Sequence, residues 1–179
     1  MKNKNGGRVA LCGMTAALAT LAMLLTVVPV SEIGLPAVAG LLLVPTVVEL
    51  GRRYALSVYV TVCLLSLLLV PAWEPKLLFI GFFGYYPIVK SLIEALRKPV
   101  AEWVIKFALF NGTVVGIYWV LLTFLHLDTA AFTIAGKTVY GLLLLLGNGV
   151  FLLYDIGLTR VISHYVAVFS PRLRRLFRF

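Results

Sequence analysis

Long apolar runs with little or no charge, broken by short polar or basic turns, constrain this chain more than any other feature. The first, Val9 to Val30, has no Asp, Glu, Lys or Arg. A helix needs about 20 such residues to cross the hydrocarbon core of a bilayer. Predominantly apolar runs with none or one or two charges each cover 35–49, with Pro45 inside it, 54–71, 77–96, with Pro87 inside it, 100–125 and 138–166. The last exceeds a membrane thickness, so its final turns should protrude or the helix should tilt. Only 13% of the 179 residues are charged, against roughly a quarter in soluble domains. A water-soluble fold would then expose apolar patches that monomers rarely tolerate. Disorder requires low hydrophobicity, two cysteines cannot make a disulfide scaffold, and continuous apolar runs do not build a transmembrane β-barrel. The pattern predicts an all-α integral membrane protein, with residues 1–179 forming one six-helix transmembrane domain.

Lys2, Lys4 and Arg8 precede the first run and resemble the start of a secretory signal. The run is too long for a signal core, and the rest of the chain is also membrane-like, so an uncleaved first span is expected. The basic residues then sort by loop. One alternate set of connections holds Lys2, Lys4, Arg8, Arg52, Arg53, Arg97, Lys98 and the tail residues Arg172, Arg174, Arg175 and Arg178. The other holds Lys76 and Lys137, beside Glu32, Glu74 and Asp128. Cytoplasmic loops collect Lys and Arg, so this bias predicts cytoplasmic termini and an even number of spans. The net charge of +9 is thereby a topology signal, and no nucleic-acid partner is expected. The arginine and aromatic residues of 170–179 suit the anionic inner leaflet.

Chemistry-bearing motifs are scarce. Ala131 to Thr138, A-F-T-I-A-G-K-T, fits a relaxed phosphate-loop pattern, but it lacks the strand before it and the cytoplasmic setting the loop requires. A chance match is expected. His126 and His164 fall on opposite faces, no residues stand at metal-ligand spacing, and no nucleophile–base grouping appears. Neither an enzyme, a metal nor a cofactor is expected. Cys12 and Cys63 read as free, apolar packing residues. Trp73 suits the membrane interface.

Polar residues at depth stand out more. Asn111 lies roughly 18 Å from the inner end of the fifth span, Asn148 roughly 16 Å from the outer end of the sixth, and Tyr85 and Tyr86 roughly 15 Å into the fourth, at 1.5 Å per residue. Such groups either bond between helices or line a ligand pocket between the fourth, fifth and sixth spans. Gly81, Gly84, Gly147, Gly149 and the Pro87 break would give that pocket room. Tyr118 and Trp119 could be its aromatic wall or an interfacial belt. Lys90 and Glu94, and Glu102 and Lys106, are four apart near the inner face, which predicts i,i+4 pairing and snorkelling. Asp155 and Arg160 suggest a structural ion pair. In the first span, Cys12, Ala16 and Thr20, and Gly13 and Ala17, form rows of small residues, extended by Ala19 and Ala22. They suit close packing, within the bundle or against a partner.

The stretches A-L-C-G-M-T-A-A-L-A-T-L (Ala10 to Leu21), P-A-V-A-G-L-L-L-V-P (Pro36 to Pro45), L-L-F-I-G-F-F-G-Y-Y-P-I-V-K (Leu77 to Lys90) and F-L-L-Y-D-I-G-L-T-R (Phe151 to Arg160) resemble the substrate-binding S components of energy-coupling factor transporters. The resemblance implies six spans and capture of a vitamin-like micronutrient from outside. It also implies docking through the first span onto a transmembrane coupling subunit driven by separate ATPases. The family typically has Ala-x-x-x-Ala there, and Cys12/Ala16/Thr20 and Gly13/Ala17 are the nearest equivalents. Its loop after the first span helps cover substrate, and here that loop is short.

The expectation is therefore a substrate-capture subunit in a bacterial cell membrane. Substrate would be bound by Asn111, Asn148, Tyr85, Tyr86, Tyr118 and Trp119, and docking would use Cys12, Gly13, Ala16, Ala17 and Thr20. The alternative is a non-transporting multi-pass scaffold, for example in cell-envelope synthesis, with a tightly packed core.

Overall fold

A computed structural model describes residues 4–28, 31–124, 133–134, 137–138 and 140–171. They are almost wholly helical: α1 Lys4–Leu24, α2 Gly34–Leu42, α3 Val44–Leu50, α4 Arg52–Leu69, α5 Trp73–Leu78, α6 Tyr86–Ile93, α7 Pro99–Phe124 and α8 Tyr140–His164. The two-residue strands Thr133–Ile134 and Lys137–Thr138 pair antiparallel. Those four residues are the described part of the phosphate-loop-like segment; the rest of it, the loop holding His126, and the tail beyond 171 lie outside the described residues.

Among the described residues, five stretches are long and apolar enough to cross a membrane: Gly6–Val27, Arg52–Leu69, Trp73–Leu96, Pro99–Thr123 and Leu144–Phe169. A shorter apolar stretch, Gly34–Leu50, stands between the first two. Large apolar side chains face outward along them, Leu68 at 82% and Leu153 at 71% exposure among many. Such a surface is stable only where hydrocarbon replaces water. The chain is a helical, multi-pass membrane protein.

Proline sets the two interruptions inside these stretches. Pro45 occupies the first turn of α3, where its missing N–H costs nothing, and the helix breaks before it at Leu43. Pro87 cannot donate to the Phe83 carbonyl four residues earlier. The chain answers ahead of the proline with a π-turn over Phe79–Phe83, closed by the Gly84 N–H on the Phe79 carbonyl at 2.8 Å. The break expected at Pro87 is thus displaced several residues upstream.

The chain divides into two compact units, 1–92 with 158–179, and 93–157. The core of the first gathers Ala16, Ala19, Ala22 and Met23 of α1, Ala39 of α2, Val58, Val62 and Cys63 of α4, and Phe79. Small residues on α1 allow α2 and α4 to approach closely. Thr15 spends its one hydroxyl proton on the Leu11 carbonyl at 2.7 Å, so the buried Thr46 hydroxyl, 3.0 Å away, donates to it and ties α3 to α1.

A second tie crosses from α4 to the π-turn. The Tyr59 hydroxyl donates to the Ile80 carbonyl at 2.7 Å. Gly84 makes this possible, because a Cβ there would stand 2.7 Å from the Tyr59 ring and 2.9 Å from the Phe79 ring. Tyr59→Phe should lower stability by about 1 kcal/mol, the net worth of a hydrogen bond. Gly84→Ala should cost about 1–3 kcal/mol through overpacking. Adding Tyr59→Ala to Gly84→Ala should recover part of that loss, a non-additivity measurable by thermal unfolding in detergent.

Candidate functional site

The second unit centres on α7 and α8, which run antiparallel and meet in successive rungs. Asn111 and Asn148 form the first. Each side-chain Nδ2 donates to the other's Oδ1 at 2.9 Å. Each also donates, at 2.8 Å, to the carbonyl four residues earlier in its own helix, Phe107 and Leu144. Both N–H groups of both amides are therefore occupied, which is what hydrocarbon surroundings demand. One acceptor lone pair on each oxygen is in excess of these bonds.

The next rung is aromatic. Phe110 stacks on Phe151 with ring centroids 4.7 Å apart and planes 11° from parallel, and Phe107 meets the same ring edge-on at 5.5 Å. Gly147 sits opposite Phe110, where an added Cβ would make ordinary contact at 3.6 Å.

The third rung is ionic. Lys106, its side chain 5% exposed, donates to Asp155 Oδ2 at 2.9 Å and to Glu94 Oε1 at 3.1 Å. Asp155 is equally buried, whereas Glu94 is 39% exposed. The ammonium also lies 5.2 Å from the centroid of the Trp103 ring, within cation–π range. This corrects two sequence expectations. Lys106 reaches Glu94 and Asp155 rather than Glu102, four residues before it, because the Asp155 carboxylate is almost fully buried on the facing helix, where attraction is less screened than at the half-buried Glu102. Asp155 pairs with Lys106, where the sequence suggested Arg160; five residues along a helix turn two side chains roughly 140° apart. Lys90 departs from expectation as well, being fully buried in α6 rather than snorkelled into water.

The remaining predicted residues are divided between the two units. Tyr85 and Tyr86 belong to the first. Tyr86 is fully buried with its ring 4.7 Å from that of Phe82, and Tyr85 lies edge-on to Tyr59 at 6.3 Å. Tyr118 and Trp119 share α7 with Asn111. Tyr118 is half-buried, while Trp119 is 60% exposed, the disposition of an interfacial belt. On α1, Ala16 and Thr20 are buried inside their own unit and Cys12 is half-buried, whereas Gly13 and Ala17 are exposed. Among the described residues no group of His, Cys, Asp and Glu could hold a metal ion.

The Lys106 rung was missed because its charges were paired by local spacing. Matching by depth finds it. Lys106 lies about 10 Å from the start of α7, and Asp155 about 13 Å from the end of α8, at 1.5 Å per residue.

These helices define a multi-pass membrane protein in which one helix pair, α7 and α8, is joined by amide, aromatic and ionic contacts. No family model, curated protein or solved structure matches the chain.

The rungs differ in what they should contribute. Asn111→Ala and Asn148→Ala should each cost about 0.6–1.7 kcal/mol in thermal unfolding, and the double variant should cost little more than either single. Lys106→Met removes the ammonium that Asp155 and Glu94 share and should cost up to about 3–5 kcal/mol. Adding Asp155→Asn should return much of that loss.

Proposed function

We propose that the chain is the substrate-capture subunit of an energy-coupling-factor-type uptake transporter in a bacterial plasma membrane. It would cross the bilayer six times, Gly34–Leu50 supplying the sixth crossing, with both termini cytoplasmic. The sorting of Lys and Arg among alternate loops supports this topology, and the four stretches resembling the S-component family support the function.

One observation carries the proposal furthest. α1 buries Leu11, Thr15, Ala16, Ala19 and Met23 against its own unit yet keeps Gly13 and Ala17 exposed. A helix already packed on one side thus offers small residues on the other, where a second membrane helix can approach closely. Docking would use that row, with Ala16 and Thr20 serving internal packing. Substrate, a vitamin-like small molecule, would address Asn111 and Asn148 through the oxygen lone pairs left over, or by exchanging with their mutual bonds.

A non-transporting scaffold is the second reading, and the mutual satisfaction of Asn111 and Asn148 favours it, since amides paired this way need no ligand.

Affinity purification from the native membrane separates the two. The transporter reading expects a coupling subunit and ATPases to co-purify, and Gly13→Leu with Ala17→Leu to abolish that association. It also expects mass spectrometry to find one small molecule retained by the wild type and lost in Asn148→Ala. Recovery of envelope-synthesis proteins with no retained molecule would overturn it in favour of the scaffold.

A further inference from the structure

A cleft of about 550 Å³ opens where α3 ends and α4 begins, lined by Val47, Leu50, Gly51, Arg52, Arg53, Tyr54 and Ser91. All of these lie within the first unit. Gly51 makes the corner with φ 86°, a left-handed value that favours glycine. The turn is so tight that two apolar helices meet there with one residue between them, placing the corner at the end of the apolar layer. Tyr54, 40% exposed, suits that level of a bilayer.

The cleft is built for negative charge. Arg52 is held in place by two bonds, Nε to Ser91 Oγ and Nη2 to the Ser91 carbonyl, both at 3.1 Å. These leave its other terminal nitrogen for a ligand. Arg53 beside it is exposed, and its guanidinium bonds to no described residue. α4 starts here without a side-chain cap. Its first intrahelical bond is Ala55 N–H to the Gly51 carbonyl, so the N–H groups of residues 52 to 54 have no partner within the helix. The positive end of an 18-residue helix therefore coincides with two arginines. Glu49, the nearest acid in sequence, does not line the cleft, and its carboxylate faces the Tyr165 hydroxyl at 3.5 Å.

We propose that this cleft binds the phosphodiester of an anionic phospholipid headgroup. The arginines and the helix terminus would take the phosphate, and Val47 and Leu50 would lie against the glycerol and the first acyl carbons. A lipid, rather than a free phosphate, is favoured by the apolar walls and by the position at the rim of the apolar layer. The site is independent of whether the protein transports anything.

Native mass spectrometry of the purified full chain, titrated with phosphatidylglycerol or phosphatidylcholine, tests it. Phosphatidylglycerol should bind more tightly. Arg53→Gln should weaken it about fivefold, the worth of one basic residue at an anionic surface, and Arg53→Lys should keep most of the affinity. Lys98→Gln removes the same charge from an exposed loop outside the cleft and should leave binding within about twofold. Because the Arg53 side chain bonds no described residue, the thermal midpoint of Arg53→Gln should be unchanged, so a loss of binding is not a loss of fold. Three results would overturn the site: no change in Arg53→Gln, an equal loss in Lys98→Gln, or displacement of the lipid by millimolar inorganic phosphate.

Discussion

Hydrocarbon offers no hydrogen bonds, so every polar group carried into it must find its partner within the protein. The described part of this chain is shaped by that demand more than by any single contact. The helices satisfy the backbone. Some of the polar side chains that remain, such as Thr26 and Thr113, bond a carbonyl three or four residues earlier in the chain. Several others join one helix to another: Thr46 to Thr15, Tyr59 to the Ile80 carbonyl, Asn111 to Asn148, and Lys106 to Glu94 and Asp155. With apolar side chains as content in lipid as against each other, such bonds and the close approach of small residues are what distinguish one helix arrangement from another.

The two units meet this demand differently. In the first, backbone proximity dominates: alanines along α1, and Gly84 under the Tyr59 ring, bring helices near enough for dispersion and for hydroxyl bonds. The π-turn belongs to the same scheme. A proline that removes one helix bond is accommodated by a wider turn, and the Tyr59 hydroxyl bonds a carbonyl within it. In the second unit, α7 and α8 rely on rungs of matched chemistry, amide to amide, ring to ring and ammonium to carboxylate. The buried ion pair carries a desolvation cost that a purely apolar rung would not, so its presence marks a position where charge serves either register or function.

Much of this was legible in the residues. The apolar runs place the helices within a few residues of where they stand, Pro45 and Pro87 mark the interruptions, and the depth of Asn111 and Asn148 brings those two together. Legibility failed where a local rule competed with a distant partner. Spacing of four suggested Glu102 for Lys106, and proximity along one helix suggested Arg160 for Asp155. Pairs at i,i+4 are weak, and a buried carboxylate on the facing helix, at matching depth, prevailed. The α1 rows posed the opposite problem: Ala16 and Gly13 are alike in composition, and nothing in the sequence says which row turns inward.

By itself, then, the sequence determined that this is a helical membrane protein, where its long apolar helices run and which few polar residues lie at depth, because hydropathy, proline stereochemistry and a rise of 1.5 Å per residue are properties of the chain alone. The tertiary structure decided which polar group answers which, which face of α1 remains exposed, and that the corner at Gly51 opens as a cationic cleft. Those outcomes depend on how helices rotate and approach one another, and a sequence whose side chains are mostly interchangeable hydrocarbons does not encode that locally.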